Sequence, residues 1–362
     1  MKIFHRFTLD YYKNFIIQEI VLYIIIKIHR GRNTMSGINI KGFKGNKNWY
    51  KGNLHSHTTV SDGKLEPKEA VELYKENGYS FMCLSEHDVY TDFRDELNSE
   101  GFILLPGIEC SSVLYDENYE RKKIHHLHGI LGTSEMQEKA KDNLFKHMET
   151  LDHAQWEGAK TAQDIADLMA AKGCISTYNH PLWSRVDQED FINTKGIFAL
   201  EIYNHGTVLE SNTGYDTTHW DTMLRQGNRV FAFASDDNHN EDFLDDSFGG
   251  WIMVNAESLE HDNIVNALIE GNYYSSSGPE IYDFGIKDGV AYVECSPVNH
   301  VHFMSGNAIN GGFSYWGEPK KDSITRAEFK LRGNETYIRI ECVDKYGKKA
   351  WSNPIFMDDV EI

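Results

Sequence analysis

The chain has 362 residues, enough for one large domain with a small one or for two of moderate size, and its 40% hydrophobic content supplies a substantial core. With 55 acidic against 36 basic residues the formal charge is −19, which argues against non-specific binding of long nucleic acids. A solvated acidic surface accounts for most of that excess but not for 17 histidines.

The first 34 residues differ in kind from the rest. They are rich in Ile, Tyr, Phe, Lys and Asn, and the run from Phe15 to Ile28 is apolar but interrupted by Gln18, Glu19 and Lys27. That run is short for a bilayer span, and no small-residue cleavage site follows it. Residues 1–34 are therefore expected to be a mis-assigned leader or a disordered or helical extension, with Met35 the true start; a membrane-associated amphipathic helix is the rival expectation.

Strand and helix signals then alternate. Trp49 to Leu54 reads as a strand. Pro67 to Asn77 reads as a helix, with Pro67 in its first turn and Gly78 just past its end. Tyr79 to Ser85 is a buried strand running into Glu86-His87-Asp88, and Phe102 to Ile108 is another, ending at Glu109. Lys123 to Leu131 follows, then a helix from Thr161 to Lys172 stopped by Gly173. Cys174 to Tyr178 leads to Asn179-His180-Pro181, and Ile197 to Tyr203 leads to Asn204-His205. A helix at Asp216 to Gln226 precedes Val230 to Ala234, which leads to Asp236-Asp237-Asn238-His239. A helix at 257–270 and a strand at 272–276 complete the series.

This alternation argues for an α/β domain with a parallel sheet, in barrel form, with polar residues on the rim after the strands. After Ser277-Gly278-Pro279 the runs become short and alternating, as in Val290 to Glu294, His300 to Met304 and Thr336 to Val343. Residues 281–362 therefore read as a small β-sandwich-like domain following a 35–280 barrel domain. The cysteines, Cys83, Cys110, Cys174, Cys295 and Cys342, are isolated and odd in number, which fits reduced, packed thiols in a cytoplasmic protein.

Chemistry gathers at the strand ends. His55 and His57, two residues apart on an extended segment, point the same way and can share a metal. Asp62 returns in a Ser-Asp-Gly turn. His87, Glu109, a cluster of His125, His126 and His128, then His180, and finally Asp237 and His239 follow in order. Each alone has an ordinary structural role open to it: a hydrogen-bonded histidine, a turn aspartate, a capping glutamate. Their recurrence at successive strand ends points instead to a multi-metal hydrolase.

These motifs resemble those of the PHP (polymerase and histidinol phosphatase) superfamily of metal-dependent hydrolases over roughly residues 49–280. His55-Ser56-His57 with Ser61-Asp62-Gly63 matches its first motif. Glu86-His87-Asp88 matches the second, with Glu86 in place of the commoner Asp. Gly107-Ile108-Glu109 supplies the bridging carboxylate, and His126-Leu127-His128-Gly129 fits the His-x-x-Gly strand with His126 as ligand and His125 and His128 as competing registers. Asn179-His180-Pro181 and Asp237-Asn238-His239 match the last two motifs. The Asn-His-Pro-Leu-Trp turn, Ser277-Gly278-Pro279 and Ala350-Trp351-Ser352-Asn353-Pro354-Ile355 are similar to the carbaryl-hydrolase-like branch with a C-terminal β-domain.

The resemblance implies a distorted (β/α)7-type, TIM-like barrel carrying two or three divalent ions, Mn, Fe or Zn. His55, His57, Glu109 and Asp237 would hold the first. Glu109, His126 and His180 would hold the second, and Asp62, His87 and His239 the third. Glu109, Asp237 and His239 would then carry catalytic roles in cleaving a small phosphate ester with a metal-bridging hydroxide. The same hydroxide acting on a carbamate, aryl ester or amide is the alternative, and a metal-stabilised binding module is a third reading. Arg185 and His205 are the substrate candidates, and Trp183, Tyr203, Tyr215 and Trp220 are candidates for an apolar wall. The partner expected is a small-molecule ester, with neither a long nucleic acid nor a membrane.

Overall fold

The computed structural model describes residues 37–45, 48–306, 309 and 311–359. The expectations for residues 1–34 and for Met35 lie outside them. Among the described residues, nine strands of the main sheet belong to the larger part: β1 (Asn48–Asn53), β2 (Phe81–Leu84), β3 (Ile103–Tyr115), β4 (Arg121–Leu131), β5 (Cys174–Tyr178), β6 (Ile197–Asn204), β7 (Phe231–Ser235), β8 (Trp251–Ala256) and β9 (Tyr273–Ser276). Seven more of four residues or longer follow: β10 (Ile281–Lys287), β11 (Val290–Val298), β12 (His300–Ser305), β13 (Gly312–Trp316), β14 (Ile324–Lys330), β15 (Tyr337–Val343) and β16 (Lys349–Ser352).

The helices form where the sequence carries both an apolar stripe and an end signal. Pro67–Glu76 opens with a proline in its first turn, and Glu66 and Glu69 bond each other's backbone in a reciprocal cap. Ala159–Ala171 buries Ala162, Ile165, Ala166 and Met169, the spacing of one helical face. Met169 can lie flat on the sheet because Gly129 of β4 faces it; a Cβ there would stand 2.1 Å from the Met169 sulfur.

The sheet runs β7-β6-β5-β4-β3-β2-β1-β8-β9 and continues through β16, β15, β12 and β13. Pairs β7/β6, β6/β5, β3/β2 and β2/β1 are parallel, as the alternation with helices requires. The others are antiparallel, and this departs from the expected architecture. The strand pairing is mixed and open rather than a closed barrel among the described residues. At the edges, β1 takes β8 as its outer neighbour, and the residues after β7 meet those after β1 through a bridge between Ser56 and Asn238.

The largest local difference is β3. It does not stop at Glu109 but runs on to Tyr115 and turns back as β4, because Asp116 closes the turn. The Asp116 Oδ1 atom accepts from the Asn118 and Glu120 amides at 2.8 and 3.0 Å.

In the C-terminal part, β10, β11, β14 and a short strand Asn39–Lys41 form a second sheet. It packs on β12 and β15 through Ile281, Phe284, Val293, Val301, Phe303, Phe329, Ile340 and Cys342. All five cysteines are buried and free.

Two features weld the parts. Strand β9 pairs with β16, and the Asn353 side chain accepts from the Ala232 amide while donating to the Gly271 and Tyr273 carbonyls. Beside this seam Arg339, only 1% exposed, lies over the Trp220 ring at 4.6 Å. Trp220 is fully buried and donates its indole N–H to the Val230 carbonyl at 3.0 Å. Replacing Trp220 with Ala should lower the unfolding free energy by about 4 kcal/mol, from lost burial plus a cavity, measured by urea denaturation. A loss below about 1 kcal/mol would mean that this seam contributes little.

Candidate metal centre

The polar residues cluster where the parallel strands end, the usual position for sites on such sheets. After β1 the chain stays extended through His55, Ser56 and His57. It is held by the Asp237 amide donating to the His55 carbonyl and the His57 amide donating to the Asn238 carbonyl, both at 3.0 Å. Both imidazoles therefore point inward from one face. After β2, the Glu109 amide donates to the Glu86 carbonyl and the Asp88 amide to the Glu109 carbonyl, which sets His87 beside Glu109. Asp88, His180 and Asp237 have positive φ angles of 55°, 25° and 52°, uncommon for residues other than glycine.

Strand β4 resolves which histidine of the triplet faces in. His126 lies opposite Ser111 and His128 opposite Glu109, on the inner face. His125 points the other way, bonded to the Tyr178 hydroxyl at 2.6 Å and stacked on Trp156. His128 sits deeper than His126, edge-on to His55, with both ring nitrogens buried and unpaired. Burial first, then the neighbouring His55, hold its pKa well below the ordinary value and keep it neutral.

Nine side chains converge in four overlapping groups: His57, Asp62, His87 and His239; His55, Glu109 and His180; His55, His57 and Asp237; and His87, Glu109 and His126. Within each group the potential ligand atoms lie within 4.8 Å of one another. His55 Nε2 is 3.2 Å from Glu109 and 3.0 Å from Asp237. His57 Nε2 is 3.1 Å from Asp237, and His87 Nδ1 is 3.1 Å from Glu109.

Yet His55 Nε2, His57 Nε2, His87 Nδ1, Glu109 Oε2 and Asp237 Oδ1 are buried with no hydrogen-bond partner. They are close, but their angles do not suit a shared proton. Buried lone pairs turned toward a common point are costly alone and are what a cation requires. This donor set, six imidazoles and three carboxylates without a thiolate, fits divalent metal ions.

Other buried groups aim the ligands. The His55 Nδ1 atom meets Glu201 at 2.9 Å, which leaves Nε2 for the centre. Glu201 also accepts from the His180 amide and the Asn204 side chain, each at 3.0 Å. Asn179 donates to Glu109 at 2.7 Å and Asn204 to Asp237 at 2.9 Å, fixing both carboxylates. Asp236 turns away from the centre and accepts from Tyr74 and from the Phe248, Gly249 and Gly250 amides. Burial pushes Asp236 up to about 7, against those four donors. None of Glu201, Asn204 and Asp236 has a spacing signal in the sequence that marks it as support.

The electrostatics divide the centre in two. Burial would raise the Glu109 pKa, but His126 and His55 outweigh it and hold the carboxyl well below its usual range. Burial, then His87 and His239, lower His57 to about 3. His239 goes the other way: burial opposes its charge, but Asp62 and Asp237 raise it to about 9. Asp62, His87 and His239 are also the partly exposed members, so this outer group borders a cavity of about 630 Å3. That size is in the ordinary range for small-molecule sites.

Trp183 lines the cavity, with its indole N–H bonded to Glu210 at 2.7 Å. Arg185 and His205 are not among its lining residues. Arg185 is exposed beyond the Trp183 turn, and His205 bonds the Tyr203 hydroxyl under Gly249. Tyr203 and Trp220 belong to the core, and Tyr215 packs on Tyr203. Cys110 is buried in the same core, outside the four groups.

Comparison with known proteins adds short or distant likenesses. No family model matches the chain. Two curated relatives, the 5'-3' exoribonuclease Rnm of Salmonella typhimurium and that of Escherichia coli, are 38% identical over 72 residues. That segment is 18% of this chain and 24% of each relative, so the chain spans about a quarter of their length. Among solved structures, a two-domain protein of Bacteroides vulgatus containing a predicted PHP-like metal-dependent phosphoesterase aligns with TM-score 0.44. It has 14% identity and covers 89% of this chain and 98% of its own. An amidohydrolase of Chromobacterium violaceum aligns with TM-score 0.37 and 14% identity, covering 52% of this chain and 87% of its own. Neither likeness is close enough to carry an argument about this centre.

Glu86, the departure from the expected motif, is a buried support. It accepts from the Thr58 amide and hydroxyl at 3.1 and 2.5 Å and from the Ser61 amide and hydroxyl at 3.2 and 2.6 Å. It thereby ties the loop that carries Asp62 to the strand that carries His87. Glu86→Ala strands those donors in a buried site and should cost about 3 kcal/mol of stability, read from urea denaturation of the metal-free protein. An unchanged midpoint would remove Glu86 from this role.

Proposed function

We propose that the chain is a metal-dependent hydrolase, and that its reaction is cleavage of a small phosphate ester. The observation that carries this reading is the convergence of nine potential ligands, five of them with orphaned buried atoms, at the base of an accessible cavity. Structural metal sites are closed, whereas this one opens to solvent on the Asp62, His87 and His239 side.

In this reading His55, His57, Glu109 and Asp237 hold one ion. Glu109, His126 and His180 hold a second, and Asp62, His87 and His239 a third, with Glu109 shared. Such ions supply an activated hydroxide and neutralise charge on the ester oxygens. The protein's own part is orientation. Glu201 sets the His55 ring, Ser184 bonds His180 Nδ1 at 3.1 Å, and Asn204 leaves Asp237 Oδ1 facing inward to take up the proton of the attacking water. His239, at the cavity, has its Nδ1 bonded to the Asp237 carbonyl at 3.1 Å, which leaves Nε2 beside Asp62 to hold the outer ion, and the leaving oxygen would take its proton from solvent in the cavity. No Ser or Cys nucleophile is required.

A second reading, hydrolysis of a carbamate, aryl ester or amide, is favoured by the cavity wall. Asp88, Glu210, Glu241 and Asp246 line it with Trp183, Phe243 and Leu244, a surface better suited to a neutral aryl group than to a free dianion. Among the described residues no helix is long and apolar enough to cross a membrane. We assign the reaction to the cytoplasm on the free, buried cysteines.

A panel of aryl phosphate, nucleotide phosphodiester, aryl ester and carbamate, run with Mn, Fe and Zn, separates the readings. His57→Ala should lose metal and at least about a hundredfold in kcat/KM together. Retained activity at fewer than two ions per chain would end the polynuclear model. Proton linkage gives an independent check. In the metal-free chain the His239–Asp62 pair stabilises the fold fully below pH 6.5, and that contribution is lost as pH rises through about 9. Metal binding runs opposite, because ligation needs neutral imidazole. Loading of the outer group should therefore tighten with rising pH and release protons at pH 7, visible by calorimetry in two buffers of different ionisation enthalpy. Loading that is flat in pH would contradict the assignment of His239.

A further inference from the structure

The β3/β4 hairpin forms one wall of the cavity, and its inner face is a continuous row. Ser111 pairs with His126, Val113 with Ile124, and, past a bulge, Tyr115 with Arg121. All six line the cavity. The row thus leads outward from a candidate ligand, His126, over an apolar pair, to an aromatic ring and a guanidinium.

Arg121 stands apart from the other charges in that lining. Asp88 is paired with His153 at 2.8 Å, and Glu241 with Lys64 at 3.0 Å. Glu210 accepts from Trp183, and Asp246 from the His239 amide. Asp62 and Asp237 face histidines of the centre. Each lining carboxylate already has a partner, as does Lys64. Arg121 alone among the charged lining residues has no side-chain partner among the described residues. An unpaired arginine on an outer surface is ordinary. One at the end of a row that begins at the centre, in a wall otherwise neutralised, is placed to meet something that enters.

We propose that Arg121 is a specificity-determining residue and that, with Tyr115, it binds a second oxyanion on an extended ester whose scissile group sits at the metal centre. The proposal rests on the hydrolase reading and names the substrate class within it. The ester has a flat or apolar middle, to lie on Val113, Ile124 and Trp183, and a distal phosphate or carboxylate. Arg121 is five positions from His126, about 17 Å along a strand, and the arginine's reach brings the two anion positions to about 10–15 Å apart. Guanidinium rather than ammonium suits the outer position, because its planar fork takes an oxyanion bidentately.

The test is direct binding to the metal-loaded protein by calorimetry, using phenylphosphonate and alkane-1,ω-diphosphonates of increasing length. Wild type should bind the longer diphosphonates at least about tenfold more tightly than phenylphosphonate. Arg121→Gln should lose that gain, and Arg121→Lys should retain part of it. Neither should change phenylphosphonate affinity, hydrolysis of a simple aryl ester or Tm. If phenylphosphonate binds but length brings no gain, or the gain survives in Arg121→Gln, the inference falls while the hydrolase reading stands. If no phosphonate binds and no ester is cleaved, both fall.

Discussion

The constraint on which the rest depends is the burial of lone pairs that face one another. Glu109 and Asp237 bring carboxylate oxygens to within 3.2 Å of the imidazole nitrogens of His55, His57 and His87, at the buried floor of the cavity. Nitrogens and oxygens so placed, with angles unsuited to hydrogen bonds, oppose folding unless a cation lies between them. The protein accepts that opposition and surrounds it with groups that leave the ligands little freedom. Glu201, Asn179 and Asn204 bond the ligands directly, while Glu86 and Asp246 bond the loop backbones that carry them. Left-handed backbone at Asp88, His180 and Asp237 belongs to the same arrangement.

The surrounding fold serves this in two ways. Parallel strands β1, β2, β3, β5, β6 and β7 end together, so residues far apart in sequence reach one place. The long antiparallel hairpin breaks that pattern and so produces the cavity. By carrying β3 past Glu109 it raises a wall whose inner face continues the row from His126. An open end on the Asp62, His87 and His239 side leaves the outer group partly exposed, while His55, His57 and Glu109 lie fully buried behind it. The C-terminal sheets are joined to the larger part through the β9/β16 ladder, Asn353 and the Arg339–Trp220 stack, and among the described residues they contribute none to the cavity lining.

Much of the local structure was legible because its signals are short-range. The proline and capping glutamates of Pro67–Glu76, the apolar stripe of Ala159–Ala171 and the buried run of β5 each depend on residues within a few positions. Sheet order was less legible. Strand β4 has the same apolar run whether it pairs parallel or antiparallel, and the turn that decides this depends on one side chain, Asp116. The histidine triplet shows the same limit: which of His125, His126 and His128 faces inward follows from register, which a one-residue shift inverts. Arg185 and His205 were plausible because of their neighbours in sequence, yet the turn after Pro181 carries Arg185 to the surface and Gly249 covers His205.

The sequence by itself marked eight of the nine candidate ligands and their order, from residue type and spacing after strands, and left the ninth among three neighbouring histidines. It also determined most helix and strand positions, where periodicity and end signals are local. Tertiary structure alone decided what aims those donors and what they face. Glu201, Asn204 and Glu86 act across tens of residues, the open sheet depends on which strand β1 accepts as its neighbour, and the path from His126 to Arg121 exists only once β3 and β4 are in register. These are properties of distance between remote residues, and no local pattern encodes them.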